Sequence, residues 1–519
     1  MLYPLSYEGK YSLSAPKSIT QKPAMIEWLK RLVHSTMGTI VLHNGAHCFT
    51  TDLYMINYIT NLKNSQTYNK RLRIFAFLFL LSLFCPIHHT FFSKEAYLTG
   101  DYSDFTSFSL YLSDILLLTM WFLVILPRGR DFCHVVKPLK WLILLVFCAF
   151  LAHFGLNIRL NGYLLIKWLE LIVAYGTFSL LFEQNLIKKL FLKLFVWLCS
   201  LESILALIQF ARQSSIGLFK LGESHLSPSI LGVAKIVSGG TTFIRGYGLF
   251  PHPNPFSAFL AAGITITIYL LTNAITNKSR ILYSTLLFIN ILGLTVTFSR
   301  EAYLALATGL IIYFGGLFIR RHPERGQPSE GSHTKDSLPS NAFGFRMTPI
   351  VVIVVSIAIS FFIFKPFLLT RATFSDQSTI ARKFYDVTGI KMAEKNPIFG
   401  VGLGEGLLHM EQYSGKSLAP WDKQPPHNYF IIAAAELGIP AMLVLIWIFL
   451  SHLWGLTKKL RTNFSPYLLS LFSIFLSFLL LMQFDHYFYT LQQTQLLLWI
   501  LLALIGTEIK TKNEPATKI

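Results

Sequence analysis

Three stretches of the chain gather side chains that could do chemistry. In "FIRGYGLFPHPNPFSAFLAAG" (243–263), Arg245 precedes two glycines, and His252 and Asn254 stand among prolines. In "LTVTFSREAYLALATG" (294–309), Arg300 and Glu301 interrupt an uncharged run. In "QPPHNYFIIAAAELGIP" (424–440), His427 and Asn428 lead into apolar sequence. Guanidinium forks match phosphate oxygens. A histidine, with an ordinary pKa near 6.5, can take a proton from a hydroxyl at neutral pH. Together they fit attack by an alcohol on a phosphate-activated group, with arginines stabilising the leaving diphosphate. Each piece also has a plainer reading: an interfacial arginine before a capped helix, an internal ion pair, an interfacial histidine. Gly246 and Gly248 permit tight turns, and Pro253 and Pro255 suit a first helical turn whose N–H groups favour an anion.

Metal chemistry finds less support. His88 and His89 are adjacent, and on a helix neighbours point about 100° apart. The five cysteines (Cys48, Cys85, Cys133, Cys148, Cys199) form no CxxC pair and imply neither disulfides nor zinc. No metal and no cofactor is expected.

The elements that position these residues must be membrane helices. The chain has 519 residues, is 53% hydrophobic and 14% charged, where a soluble protein carries about 25% charged residues. No cleavable signal peptide is expected. The net charge of +19 reads as basic residues at cytoplasmic helix ends, not as a nucleic-acid surface. The 39 residues from Ile281 to Ile319 would make one helix roughly 58 Å long, against a hydrocarbon layer about 30 Å thick. The run must cross twice, with Ser299-Arg300-Glu301 at the hairpin tip, where charge costs least.

Further spans fall near 74–92, 107–126, 138–154, 161–182, 190–211, 254–274, 347–366, 428–452, 465–482 and 488–508. The fold class is all-α: a polytopic membrane protein with about twelve transmembrane helices and a large extracytoplasmic loop containing short helices. Lysines and arginines alternate between connections, which places both termini in the cytoplasm and the Arg300 tip outside. The expected organisation is a weakly structured cytoplasmic extension (1–70) and helices one to eight (71–319). A flexible cytoplasmic linker (320–346), the ninth helix (347–366) and an extracytoplasmic catalytic loop (367–427) follow. Three more helices (428–508) and a cytoplasmic tail (509–519) complete the chain. "MIEWLKRLVHSTMGTIVL" near the start fits a basic amphipathic helix on the inner membrane surface, or equally a dispensable extension.

Within the large loop, Ile380, Phe384 and Val387 trace a helical period, ended by Asn396-Pro397. Gly400, Gly402, Gly404 and Gly406 then make a flexible turn. No βαβ unit surrounds them, so they are no dinucleotide fingerprint. Arg382 is either an anion contact or part of a solvated face. Gln492 and Gln495 line a cavity or pack inside the bundle.

The pieces "RGYGLFPHPNPFSAFLA", "TFSREAYLALATG", "NPIFGVGLGEG", "PPHNYFIIAAAELGIP" and "DHYFYTLQQTQLLLWILL" together resemble the O-antigen ligase family, which takes in O-antigen polymerases and some protein O-oligosaccharyltransferases. They run in the family's order over about half the chain. The family often reads S-R-G where this chain has Glu301. The resemblance implies metal-independent, inverting transfer of a glycan from an undecaprenyl-diphosphate carrier, outside the cytoplasmic (inner) membrane. The acceptor would be a glycolipid, a protein or another polymer. Arg245 and Arg300 would hold the diphosphate and His427 would activate the acceptor hydroxyl. Arg382, His252, Asn254, Asn428 and Asp485 would be further substrate contacts. The expected partners are the carrier-linked donor, the acceptor and membrane lipid, with no nucleic acid. A polymerase using the same donor and a non-catalytic glycolipid transporter are the rival readings.

Overall fold

The computed structural model describes residues 66–152, 157–319, 341–371 and 377–510. The chain divides into two units, and the fold below is that of the unit running from Lys70 onward. The expected amphipathic helix near the start, most of the 320–346 linker and the tail lie outside the described residues.

The chain opens with α1 (Gln66–Phe84), a hairpin of β1 (His88–Phe91) and β2 (Phe108–Tyr111), then α2 (Leu112–Val136), α3 (Lys140–Ala152), α4 (Ile158–Leu181) and α5 (Asn185–Arg212). A second hairpin, β3 (Lys235–Ser238) and β4 (Thr241–Ile244), precedes α6 (Pro253–Thr272), α7 (Asn277–Thr297), α8 (Arg300–Ile319) and α9 (Asn341–Thr370). Then come α10 (Gln377–Lys395), α11 (Met410–Ser414), α12 (Tyr429–Leu437), α13 (Ile439–Thr462), α14 (Pro466–Leu481), α15 (Tyr487–Thr490) and α16 (Gln492–Lys510).

Eight helical segments among the described residues are long and apolar enough to cross a membrane, and Leu112–Leu126 and Pro466–Leu481 are shorter apolar helices. Twelve were expected. α16 misses the criterion because it opens on Gln492 and Gln493 and ends on Glu508 and Lys510, yet all four but Lys510 are buried in the bundle. Gln492 accepts from Lys167 Nζ at 2.8 Å and donates to Ser113 Oγ at 3.0 Å, so its polarity is spent on helix packing.

The 281–319 run is two helices, as its length required. The reversal falls at Phe298, in the left-handed region at φ 46°. That conformation costs a non-glycine residue roughly 1–2 kcal/mol. Burial of the Phe298 ring against Phe210, Phe364 and Phe367 offsets it.

Several boundaries differ from expectation. The first span ends at Phe84, and His88 and His89 lie on a strand, where neighbours face opposite sides. The 428–452 span breaks into α12 and α13 at Gly438, whose φ is 90°. The fold is not purely helical, since two small antiparallel hairpins follow α1 and α5. α10 is the amphipathic helix expected from its period, but its buried stripe is Ala381, Tyr385 and Met392. Ile380 and Val387 are 70% and 43% exposed. The two stripes lie one residue apart on the helix, and Phe384 packs against the buried one from its edge.

Candidate active site

Arg245 follows β4, and its N–H donates to the Ala234 carbonyl at 3.0 Å. Two buried side chains of α5 clamp the next turn. Leu249 N–H donates to Glu202 Oε2 at 2.7 Å, and Tyr247 and Gly248 N–H donate to Gln209 Oε1 at 3.1 and 2.9 Å. Gly248 has φ 63°, and a Cβ there would lie 2.4 Å from the Glu202 carboxylate. The clamp therefore requires glycine.

From Arg245 a ring of polar contacts runs through four elements. The guanidinium is 2% exposed. Its Nε donates to the Thr297 carbonyl and its Nη2 to Asn254 Oδ1 at 2.7 Å. Asn254 Nδ2 donates to Asp485 Oδ2 at 2.8 Å. Arg382 Nη2 lies 3.8 Å from that same oxygen and 3.4 Å from Glu301 Oε1. Thr297 ends α7 and Glu301 is the second residue of α8, so the turn carrying Arg300 closes the ring. Arg300 is half-buried there.

His427 stands beside the ring. Its N–H donates to Asp386 Oδ1 of α10 at 2.6 Å. Its imidazole stacks on Tyr385 at 5.8 Å between centroids and meets His486 edge-on at 5.0 Å. The Pro425 backbone lies against the ring, and the ring Nδ1 is buried with no hydrogen bond of good geometry. The Ser299 and Tyr487 hydroxyls share that condition. Other buried polar atoms among the described residues share it too, so it does not by itself mark a site.

The electrostatics follow from burial. Desolvation, helped by His486 and Arg382 and opposed by Asp485, holds His427 neutral, its pKa pushed down to about 3. Burial works against the charge of Asp485, but His486, Arg382, His427 and the Asn254 amide outweigh it and keep the carboxyl below its usual range. Burial lifts Asp386 to about 6, against the pull of the His427 N–H and Arg382. Burial and Arg245 keep His252 uncharged.

The expected site residues thus sort into roles. Arg245, Asn254, Asp485 and Arg382 meet directly. His252 caps α6, its Nδ1 accepting from Asn254 N–H at 3.2 Å. Asn428 caps α12, accepting from Phe430 and Ile431 N–H at 2.9 and 3.2 Å and donating to Gln483 at 3.1 Å. The glycines 400–406 are pinned, not a free turn: Val401 N–H donates to the Ala435 carbonyl at 2.7 Å and Gly404 N–H to Glu436 Oε2 at 3.1 Å. The sequence reading missed His486, Asp386 and Tyr385. The first stood in view, next to Asp485.

His427, Asp485 and His486 bring imidazole and carboxylate atoms within 4.8 Å of one another. The donor set is poor for a cation, because the Arg382 guanidinium already neighbours that carboxylate and would repel a second positive charge.

A family model described as O-antigen ligase matches residues 285–446. Those residues are similar to the O-antigen ligase family. The matched stretch holds Arg300, Glu301, Arg382, Asp386 and His427, and its partners Arg245, Asn254, Asp485 and His486 come from outside it. No curated protein matches the chain.

Proposed function

We propose that this protein is a membrane glycosyltransferase that moves a glycan from an undecaprenyl-diphosphate carrier to an acceptor hydroxyl on the outer face of the cytoplasmic membrane. The observation that carries the reading is the polar ring of Arg245, Asn254, Asp485, Arg382 and Glu301 beside a neutral, buried His427, within and around the stretch similar to the O-antigen ligase family. In this reading all twelve expected segments cross, and both termini are cytoplasmic.

Arg300 and Arg382 grip the diphosphate, which replaces the carboxylates that Arg382 faces, Glu301 and Asp485. Arg245 adds positive charge from beneath and braces the Arg300 turn. His427 removes the acceptor proton. Attack opposite the diphosphate inverts the anomeric carbon, and the guanidinium groups take the leaving charge without a metal.

The test is transfer by the purified protein in liposomes, supplied with carrier-linked glycan and a candidate acceptor. His427→Ala should lower transfer at least about 100-fold at equal protein level, with donor binding kept. Undiminished transfer in the variant would remove His427 as the base, and no transfer by the unchanged protein would remove the enzyme reading and favour a transporter. Chain lengthening with the carrier-linked unit alone would identify a polymerase.

A further inference from the structure

Next to Asp485 lies an imidazole without an assigned role. We propose that His486 is a proton-holding partner of His427: it receives the proton that His427 takes from the acceptor hydroxyl, and Asp485 and Thr490 stabilise it there. The inference rests on the glycosyl-transfer reading and assigns that site a further positioning residue.

The hydrogen bonds fix the ring. His486 Nδ1 lies 2.7 Å from Thr490 Oγ1. The Thr490 hydroxyl donates to the His486 carbonyl at 3.3 Å. In the proposed tautomer that oxygen accepts from Nδ1–H. His486 Nε2 then presents a lone pair, 3.9 Å from Asp485 Oδ1. A lone pair facing a carboxylate is unfavourable, and a proton on Nε2 turns the pair into a charge-assisted contact. The His427 ring stands edge-on at 5.0 Å, with planes at 79°.

The charged and titratable neighbours come from several elements. Asp485 belongs to its own connection, Arg382 and Asp386 to α10, His427 to the loop before α12, and His252 to the α6 cap. Phe105, from the β1–β2 connection, closes one side at 5.6 Å. Burial and Arg382 outweigh Asp485 and keep His486 neutral, which leaves it able to accept. When Arg382 turns to the donor's phosphates, its opposition to an imidazolium beside Asp485 weakens.

The balance closes. The acceptor O–H bond breaks as its oxygen bonds the anomeric carbon. The bond from that carbon to the diphosphate oxygen breaks, and its electron pair leaves with the diphosphate. The proton passes from the hydroxyl to His427, then to His486, and leaves with the diphosphate or water.

The experiment uses the full chain in liposomes with undecaprenyl-diphosphate-linked glycan. His486→Gln keeps polar contacts but holds no proton. Its kcat should fall about 100-fold with donor KM within about twofold, and added imidazole should restore part of the rate. Thr490→Val, which frees the tautomer, should lose less, and it carries the test if His486→Gln does not fold. An unchanged kcat in either folded variant, a loss confined to KM, or no recovery with imidazole would overturn the inference. Loss in His427→Ala alongside full activity in His486→Gln would leave the glycosyl-transfer reading standing without the relay, full activity in His427→Ala would remove the relay and the His427 base, and no transfer by the unchanged protein would remove the glycosyl-transfer reading itself.

Discussion

At the residue scale, His427 is proposed as a base whose surroundings change when donor binds. Burial and the nearby His486 and Arg382 hold its pKa at about 3. A diphosphate brings negative charge, which favours the protonated form and raises the pKa. The free enzyme's groups govern kcat/KM and those of the complex govern kcat. The acid limb of kcat should therefore lie at higher pH than the acid limb of kcat/KM, as a pH series of initial rates would show; coincident limbs would mean the donor's charge does not reach His427. The types of these residues were legible in the sequence, but their partners were not. Nothing in spacing says that Asn254 reaches Asp485 across 231 positions. Nor does it say that Arg245 spends its Nε and Nη2 inside the protein, on the Thr297 carbonyl and Asn254. Glu301, which the sequence reading set against Arg300, instead faces Arg382.

At the scale of elements, close backbone approach sets where the site's walls stand. Gly438 ends α12 with φ 90°, and a Cβ there would fall 2.1 Å from the Ile398 carbonyl oxygen. Gly415 is also left-handed, at φ 69°, but faces open space. Gly415→Ala should cost only the left-handed conformation, about 1–2 kcal/mol. Gly438→Ala adds a clash with backbone that cannot move aside, so it should lower the thermal unfolding midpoint in detergent clearly further. Equal shifts would show that the 398–438 contact does not hold the loop. The helices and the 281–319 hairpin were legible because length and hydropathy decide them. The inward stripe of α10 was not, because Ile380 with Val387 and Ala381 with Tyr385 form two adjacent apolar stripes. The choice between them lies with Gly389, where a Cβ would meet Pro426 at 2.5 Å: α10 turns its small residues toward the chain that carries His427.

At the scale of the whole molecule, the ends of α5, α7, α9 and α14 and the starts of α6, α8, α12 and α16 gather around the ring, while Lys188 near the start of α5 pairs with Glu508 near the end of α16. Chemistry and basic anchors thus occupy opposite ends of the bundle. That separation suits the proposed donor, whose diphosphate would lie at one membrane face. The central claim is that this end binds a lipid diphosphate. Its most direct test is a cryo-electron microscopy structure of the protein with undecaprenyl diphosphate in a lipid nanodisc. The account predicts phosphate oxygens within hydrogen-bonding distance of both Arg300 and Arg382, beside His427; a diphosphate seated elsewhere, with Arg382 still facing Glu301 and Asp485, would contradict it.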